Sequence, residues 1–190
     1  MINYKKREQR LFCLSKRKLI KEKKKNIHRH LSKQLSKLEN FKKAKIVASF
    51  ISIHTEISTN ELNDFLIHNN KILCLPVIKN NLKYLIFRKY DFKTNLIKGK
   101  FGILEPEQKN EELLPDLILT PCLAFDDQGY RLGYGGGYYD QTFLRLKKSK
   151  HLYKSVAVAF DDQKVTKVFH DKFDQKIDFA LTEKKIYRTL

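Results

Sequence analysis

Four of the five residues from Gly133 to Gly137 are glycine, and the segment leading into them, Leu119-Thr-Pro-Cys-Leu-Ala-Phe-Asp126-Asp-Gln-Gly129-Tyr-Arg131-Leu-Gly133-Tyr-Gly135-Gly136-Gly137-Tyr138-Tyr139-Asp140, adds an arginine and a carboxylate. Glycines packed this closely let a backbone turn tightly and bring its amide N–H groups up to an anion. A helix starting just after them points its positive end at the same place. Arg131 offers a planar fork for phosphate oxygens, and Asp140 is a hard oxygen ligand for a magnesium ion that would bridge them. The pattern is not a GxxxxGK[S/T] loop, since no Gly-Lys-Ser/Thr follows. It also misses GxGxxG, because Tyr138 stands where the third glycine belongs. Glycine richness alone fits a structural turn as well as a phosphate cradle, and the flanking Arg131 and Asp140 favour the cradle.

Such a loop needs a frame. Short β-rich runs occur at Ile46–Ile51, Ile72–Val77, Tyr84–Phe87, Leu117–Thr120, Val156–Phe160 and Phe179–Leu181. Several are apolar without alternation, as strands covered on both faces are. Ser58-Thr-Asn-Glu61 has capping-box spacing ahead of Leu62, Phe65 and Leu66 and predicts a helix over about 59–69; a second helix is expected at about 138–148. Strand, helix and strand in this order predict an α/β fold with a mainly parallel sheet sandwiched by helices in three layers. The first forty residues read as one long helix or two consecutive ones. Ile27, Leu31, Leu35 and Leu38 mark its apolar face, and Leu11, Leu14 and the Leu19-Ile20 pair extend it upstream. Lys98 to Pro115 reads as a long ordered loop. No repeat or linker divides residues 1–190, so one domain is expected.

Composition narrows the class. The 190 residues are 42% hydrophobic and include no apolar run near the ~18 residues of a membrane span, so a soluble chain with a sizeable core is expected. The amino terminus is basic but has no apolar stretch behind it, which predicts a cytoplasmic protein. Cys13, Cys74 and Cys122 are odd in number and outside any CxxC, consistent with reduced thiols. None of the six histidines has metal-ligand spacing; His28 and His30 read as solvated on the basic helix. Residues 1–45 hold 17 Lys and Arg against 3 Asp and Glu, and so carry +14 of the total +18. A basic helix of this kind is a footprint for nucleic acid, or simply a solvated Lys-rich face; the segment lacks interleaved aromatics for base stacking.

The segment from Leu119 to Asp140 resembles the signature of the 5-formyltetrahydrofolate cyclo-ligase family, also called 5,10-methenyltetrahydrofolate synthetases. The likeness extends to Lys6-x-x-x-Arg10, Glu56-Ile-Ser-Thr59, Leu75-Pro-Val77, Phe101-Gly-Ile-Leu-Glu105-Pro106 and Asp174-x-x-x-Asp178-x-x-x-Thr182-Glu183, in the family's order. The resemblance implies an α/β sheet sandwiched by helices. It implies ATP as co-substrate, a reduced folate as substrate, and magnesium. Carried onto this chain, it implies that Lys6 and Arg10 reach ATP phosphates and that Arg131, Leu132, Gly133, Tyr134, Gly135, Gly136, Gly137, Tyr138 and Tyr139 wrap the nucleotide. Asp140 and Asp174 would hold magnesium, Ile51, Glu56 and Tyr138 would border the folate, and Arg131, Tyr138 and Asp140 would carry the catalytic roles. Some family members place basic residues inside the glycine loop, where this chain has Tyr134 and Gly136, so phosphate charge would fall to magnesium, Arg131 and the first helix. Ordinary structural roles stand beside these. Glu56 or Asp140 would favour a helix start, one of Tyr138 and Tyr139 would be a core aromatic, and Asp178 rather than Asp174 would be a structural partner. The alternative function is a nucleic-acid-binding protein using the Lys-rich helix; neither a specific nucleic acid nor a membrane is the expected partner.

Overall fold

The computed structural model describes residues 2–24 and 30–189. Lys25, Ile27 and His28 lie outside them. The helices are α1 (Ile2–Lys23), α2 (His30–Leu35), α3 (Glu39–Lys43), α4 (Asn60–His68) and α5 (Tyr138–Lys148). Twelve strands follow in chain order: β1 (Ile46–Ala48), β2 (Ile72–Val77), β3 (Ile86–Lys89), β4 (Leu96–Lys98), β5 (Leu104–Pro106), β6 (Glu112–Leu113), β7 (Leu117–Pro121), β8 (Ala124–Phe125), β9 (Arg131–Leu132), β10 (Lys154–Val158), β11 (Phe179–Leu181) and β12 (Ile186–Arg188). Eight of them form one sheet in the order β12-β11-β10-β7-β1-β2-β3-β6. Its middle five, β11 to β2, are parallel, while β12, β3 and β6 close the edges antiparallel. The α/β architecture with a mostly parallel sheet and a long first helix is therefore as the sequence predicts.

Successive residues of the central strands face opposite sides, and both sides are dry. Val47, Leu73, Leu117 and Val156 pack with Ile20, Leu31, Leu35, Phe41, Leu62 and Leu66 from α1 to α4. Ala48, Cys74, Ile118 and Ala157 turn the other way, onto Phe143 and Leu146 of α5. Small residues on that face let α5 lie close to the sheet. No helix among the described residues is long and apolar enough to cross a membrane.

Three local expectations change. The segment 98–115 is not one loop: β4 and β5 pair as a hairpin whose tip is a 3-10 turn at Lys100–Gly102, and β6 joins the main sheet. The capping box before α4 does not form, because the N-cap Thr59 turns its hydroxyl to the Phe50 carbonyl at 2.6 Å. The upstream apolar stripe on α1 faces outward: Leu11 is 55% exposed, Phe12 68% and Leu19 57%, and Leu14 is exposed too. The inward face carries Lys6, Cys13, Arg17 and Ile20.

From β1 the chain crosses to β2 on one side, and β7 later inserts on the other. The crevice beyond the carboxyl ends of β1 and β7 is thus a topological switch point, where parallel sheets bind ligands.

Candidate active site

That crevice opens into a cavity of about 530 Å³. After β1 the chain leaves the sheet through Phe50, Ile51 and Ile53 to Glu56, all of which line it. After β7 comes the β8–β9 hairpin, whose turn is built by buried Asp126. One carboxylate oxygen accepts the Tyr130 N–H at 2.9 Å, the other the Val168 N–H at 2.8 Å. The hairpin ends in the glycine loop, and Gly133 to Gly137 form a rim of the cavity. Gly135 (φ 107°) and Gly137 (φ 67°) have left-handed backbone that a side chain would strain, and Gly137 caps the start of α5. A Cβ on Gly136 would sit 2.9 Å from the Tyr138 ring, so the loop also needs glycine there for space.

The cationic side is built by α1. Lys6 Nζ donates to Asp174 Oδ2 at 2.5 Å and Asp171 Oδ2 at 3.1 Å. Arg10 Nε donates to the Gly133 carbonyl at 3.0 Å, with its guanidinium against Gly135. Arg131, read from the sequence as a fork for phosphate, lines the cavity and braces the start of α5. Its NH2 lies 3.2 Å from Asp140 Oδ1, its NH1 donates to the Gln175 carbonyl at 3.1 Å, and it rests over the Tyr139 and Phe143 rings. Asp140 Oδ1 also accepts the Gln175 N–H at 2.9 Å.

Asp140 and Asp174 both line the cavity. Each uses one oxygen for these bonds and keeps the other without a partner among the described residues. Two half-engaged carboxylates beside the glycine loop fit a magnesium ion, which commonly takes one or two carboxylates and completes its shell with phosphate and water oxygens. No cluster of three or more His, Cys, Asp or Glu able to hold a metal exists among the described residues. Asp178 lies elsewhere and is structural, accepting from the Ser155 N–H and hydroxyl, both at 2.9 Å.

Opposite the loop the wall is apolar: Pro76, Ile78, Leu85, Phe101, Ile103 and Leu104. Phe101 at the β4–β5 tip meets the Tyr138 ring edge-on at 6.4 Å, and Lys100 Nζ donates to the Tyr138 hydroxyl at 3.1 Å. Between the two walls stands Glu56, 4% exposed, with Oε2 accepting the Ile53 N–H at 2.8 Å. This is not the exposed role of a carboxylate at a helix start. Burial pushes its carboxyl above the usual range, opposed by the Ile53 N–H, the Arg17 charge, the Tyr134 hydroxyl and His54. Tyr138 and Tyr139 both reach the cavity. Tyr139 packs on Phe143, and burial above all, with Glu56 nearby, raises its phenol.

Every site residue proposed from the sequence lines this one cavity. What sequence reading misses is Arg17, 1% exposed and bonded to groups of three separate segments. Its signal was present as helical spacing: Lys6, Arg10, Cys13, Arg17 and Ile20 make a stripe, but a cationic one where an apolar stripe was sought.

A crevice at the switch point of a parallel sheet, with a glycine loop leading into a helix and a buried carboxylate beside it, has the form of an enzyme's substrate cleft. Comparison with known proteins gives the class a family. The family model described as the 5-formyltetrahydrofolate cyclo-ligase family matches residues 3–183. The chain is 36% identical over 138 residues to the 5-formyltetrahydrofolate cyclo-ligase of Haemophilus influenzae, covering 70% of this chain and 73% of the relative. It is 32% identical over 149 residues to that of Escherichia coli K12, covering 76% and 81%. Among solved structures, the 5,10-methenyltetrahydrofolate synthetase of Aquifex aeolicus superposes with a TM-score of 0.78 at 31% identity, over 96% of this chain and 92% of that one. The chain belongs to the 5-formyltetrahydrofolate cyclo-ligase family, and it is an enzyme of that class.

Proposed function

We propose that the cavity binds ATP and 5-formyltetrahydrofolate together and closes the folate's imidazoline ring with release of ADP and phosphate. The observation that carries this reading is the meeting, in one cavity, of the glycine loop, two half-engaged carboxylates and the buried Glu56 with an apolar wall. The triphosphate lies along Gly133 to Gly137, with Arg10 beneath Gly135 and Lys6 alongside. The pterin places its N–H edge on Glu56, near Ile51, with Tyr138 against the rings.

The formyl oxygen on nitrogen 5 is a poor leaving group until it is activated. It attacks the γ-phosphorus of ATP as the bond to the bridging oxygen breaks, giving ADP and an iminium phosphate on the folate. Nitrogen 10 then adds to the formyl carbon and loses its proton, the carbon–oxygen bond breaks, and inorganic phosphate departs to leave the 5,10-methenyl bridge. No side-chain nucleophile is needed. The protein's work is to align oxygen, phosphorus and leaving group and to offset charge with backbone amides, Arg10 and Lys6. Arg131 acts by fixing Asp140 and the start of α5. A magnesium ion held by Asp140 and Asp174 would supply charge neutralisation and triphosphate geometry.

The Lys-rich helix is less available to nucleic acid than its composition suggests. Besides Lys6, Arg10 and Arg17, Lys21 binds the His54 carbonyl, and Lys24 pairs with Asp162 and Glu183. Purified protein with ATP, magnesium and 5-formyltetrahydrofolate is expected to generate the near-ultraviolet absorbance of the methenyl product, one ADP for each. A flat trace from folded protein would overturn the reading.

A further inference from the structure

Arg17 lines no part of the cavity, yet it is a buried charge directly behind two residues that do, Glu56 and Tyr134. It projects from the inward face of α1 and is 1% exposed. Nε donates to the Thr55 hydroxyl at 3.0 Å, NH1 to the Cys122 carbonyl at 3.0 Å and NH2 to the Tyr134 hydroxyl. NH1 also lies 4.0 Å from Glu56 Oε1, and the guanidinium stacks over the Tyr134 ring at 5.3 Å. Thr55 and Glu56 follow β1, Cys122 follows β7, and Tyr134 is the side chain inserted between the glycines of the loop. One guanidinium therefore ties the carboxylate proposed for the pterin to the loop proposed for the triphosphate.

A buried guanidinium has given up its water, and its donors have fixed directions. Moving Tyr134 or Glu56 alone strands a donor or a charge in a dry place, so the two move together or not at all. Resting on the cyclo-ligase reading, we propose that Arg17 is a positioning residue that couples the nucleotide and folate halves of the cavity through Tyr134 and Glu56, so that each substrate tightens the binding of the other. Ordering the loop around phosphate fixes the Tyr134 hydroxyl, which fixes Arg17 and with it Glu56; the pterin does the same in reverse. Reciprocity is required thermodynamically. Tyr134 thus has a role that neither glycine nor phenylalanine would fill, since its ring continues the wall while its hydroxyl reaches behind it.

The test is calorimetric titration of a non-hydrolysable ATP analogue, with magnesium, in the absence and presence of 5-formyltetrahydrofolate, and the reverse. In the wild type each ligand is expected to raise the affinity for the other about fivefold. Tyr134→Phe, which removes one oxygen and keeps the ring, is expected to bring that factor close to one, with smaller changes in the affinity of either ligand alone. Arg17→Lys keeps the charge without the fork and should retain part of the coupling. Absence of coupling in the wild type, or full coupling in folded Tyr134→Phe, would overturn the inference. A purely structural role predicts weaker binding of both ligands with the coupling factor intact, which also overturns it. If folded wild-type protein binds neither ligand, the cyclo-ligase reading itself fails and this inference goes with it. Wild-type turnover without coupling removes the inference alone.

Discussion

Helices α5 and α1 both pack against the heart of the molecule, yet they follow opposite rules. Helix α5 buries Thr142, Phe143 and Leu146 on the sheet and sends Arg145, Lys147 and Lys148 outward. Helix α1 buries Lys6, Cys13, Arg17 and Ile20 and leaves Leu11, Phe12, Leu14 and Leu19 exposed. The difference lies in what each helix covers. Beneath α5 are Ala48, Cys74, Ile118 and Ala157, an apolar sheet face. Beneath much of α1 are the Gly133 and Cys122 carbonyls, Asp171, Asp174 and Glu56, acceptors that its Lys and Arg side chains meet. A hydrophobic stripe reports a helix on a core, and a cationic stripe reports a helix on a site.

Substitutions on the two helices should separate these cases. Phe143→Ala removes a fully buried ring from the sheet face and is expected to cost about 4 kcal/mol in denaturant unfolding. Arg17→Met leaves Glu56 buried without its cation and should cost about 3 kcal/mol by the same measurement. A loss as small as that of an exposed residue would mean that α1 is not held by its charges. Glu56→Gln is expected to lower kcat/KM for the folate about thirtyfold, the scale of a charged hydrogen bond, with little change in the ATP KM.

The same carboxylate sets a pH dependence. Ionised Glu56 is a stronger acceptor for a pterin N–H than the neutral acid, and burial raises its carboxyl, so folate affinity should fall with falling pH at a higher value than for an ordinary glutamate. Arg17, Tyr134 and His54 face this group, with Cys122 and Tyr139 behind it, and Tyr134→Phe should move the acid limb further up. Glu56→Gln should remove that limb, and a limb unmoved by either change would assign it to another group. The smallest effect belongs to Leu11→Gln on the outer face of α1, within about 0.5 kcal/mol of wild type. A large loss there would break the contrast between the helices.

The central parallel strands and the helices α4 and α5 were legible because their residues obey local rules: β-branched apolar runs, a glycine cluster ahead of α5, apolar residues at helical spacing. Antiparallel edges were harder. Strands β6, β8 and β9 are two residues each, and β12 carries Tyr187 and Arg188, so their pairing depends on partners distant in sequence. The glycine loop announced itself, since its backbone angles at Gly135 and Gly137 demand that residue. The brace that Arg131 makes to Asp140 and Gln175 could not be read, because the Gln175 carbonyl it bonds lies 44 residues away. Arg17 was hidden for the reason α1 was misread, as one cation among many until the polar groups beneath the helix are in place.

The most direct test follows the formyl oxygen. With 5-formyltetrahydrofolate carrying a heavy oxygen isotope in the formyl group, turnover by this enzyme should deliver the label into the inorganic phosphate released beside ADP. Label appearing in water, with unlabelled phosphate, would contradict attack of that oxygen on the γ-phosphorus and the arrangement of the cavity built around it.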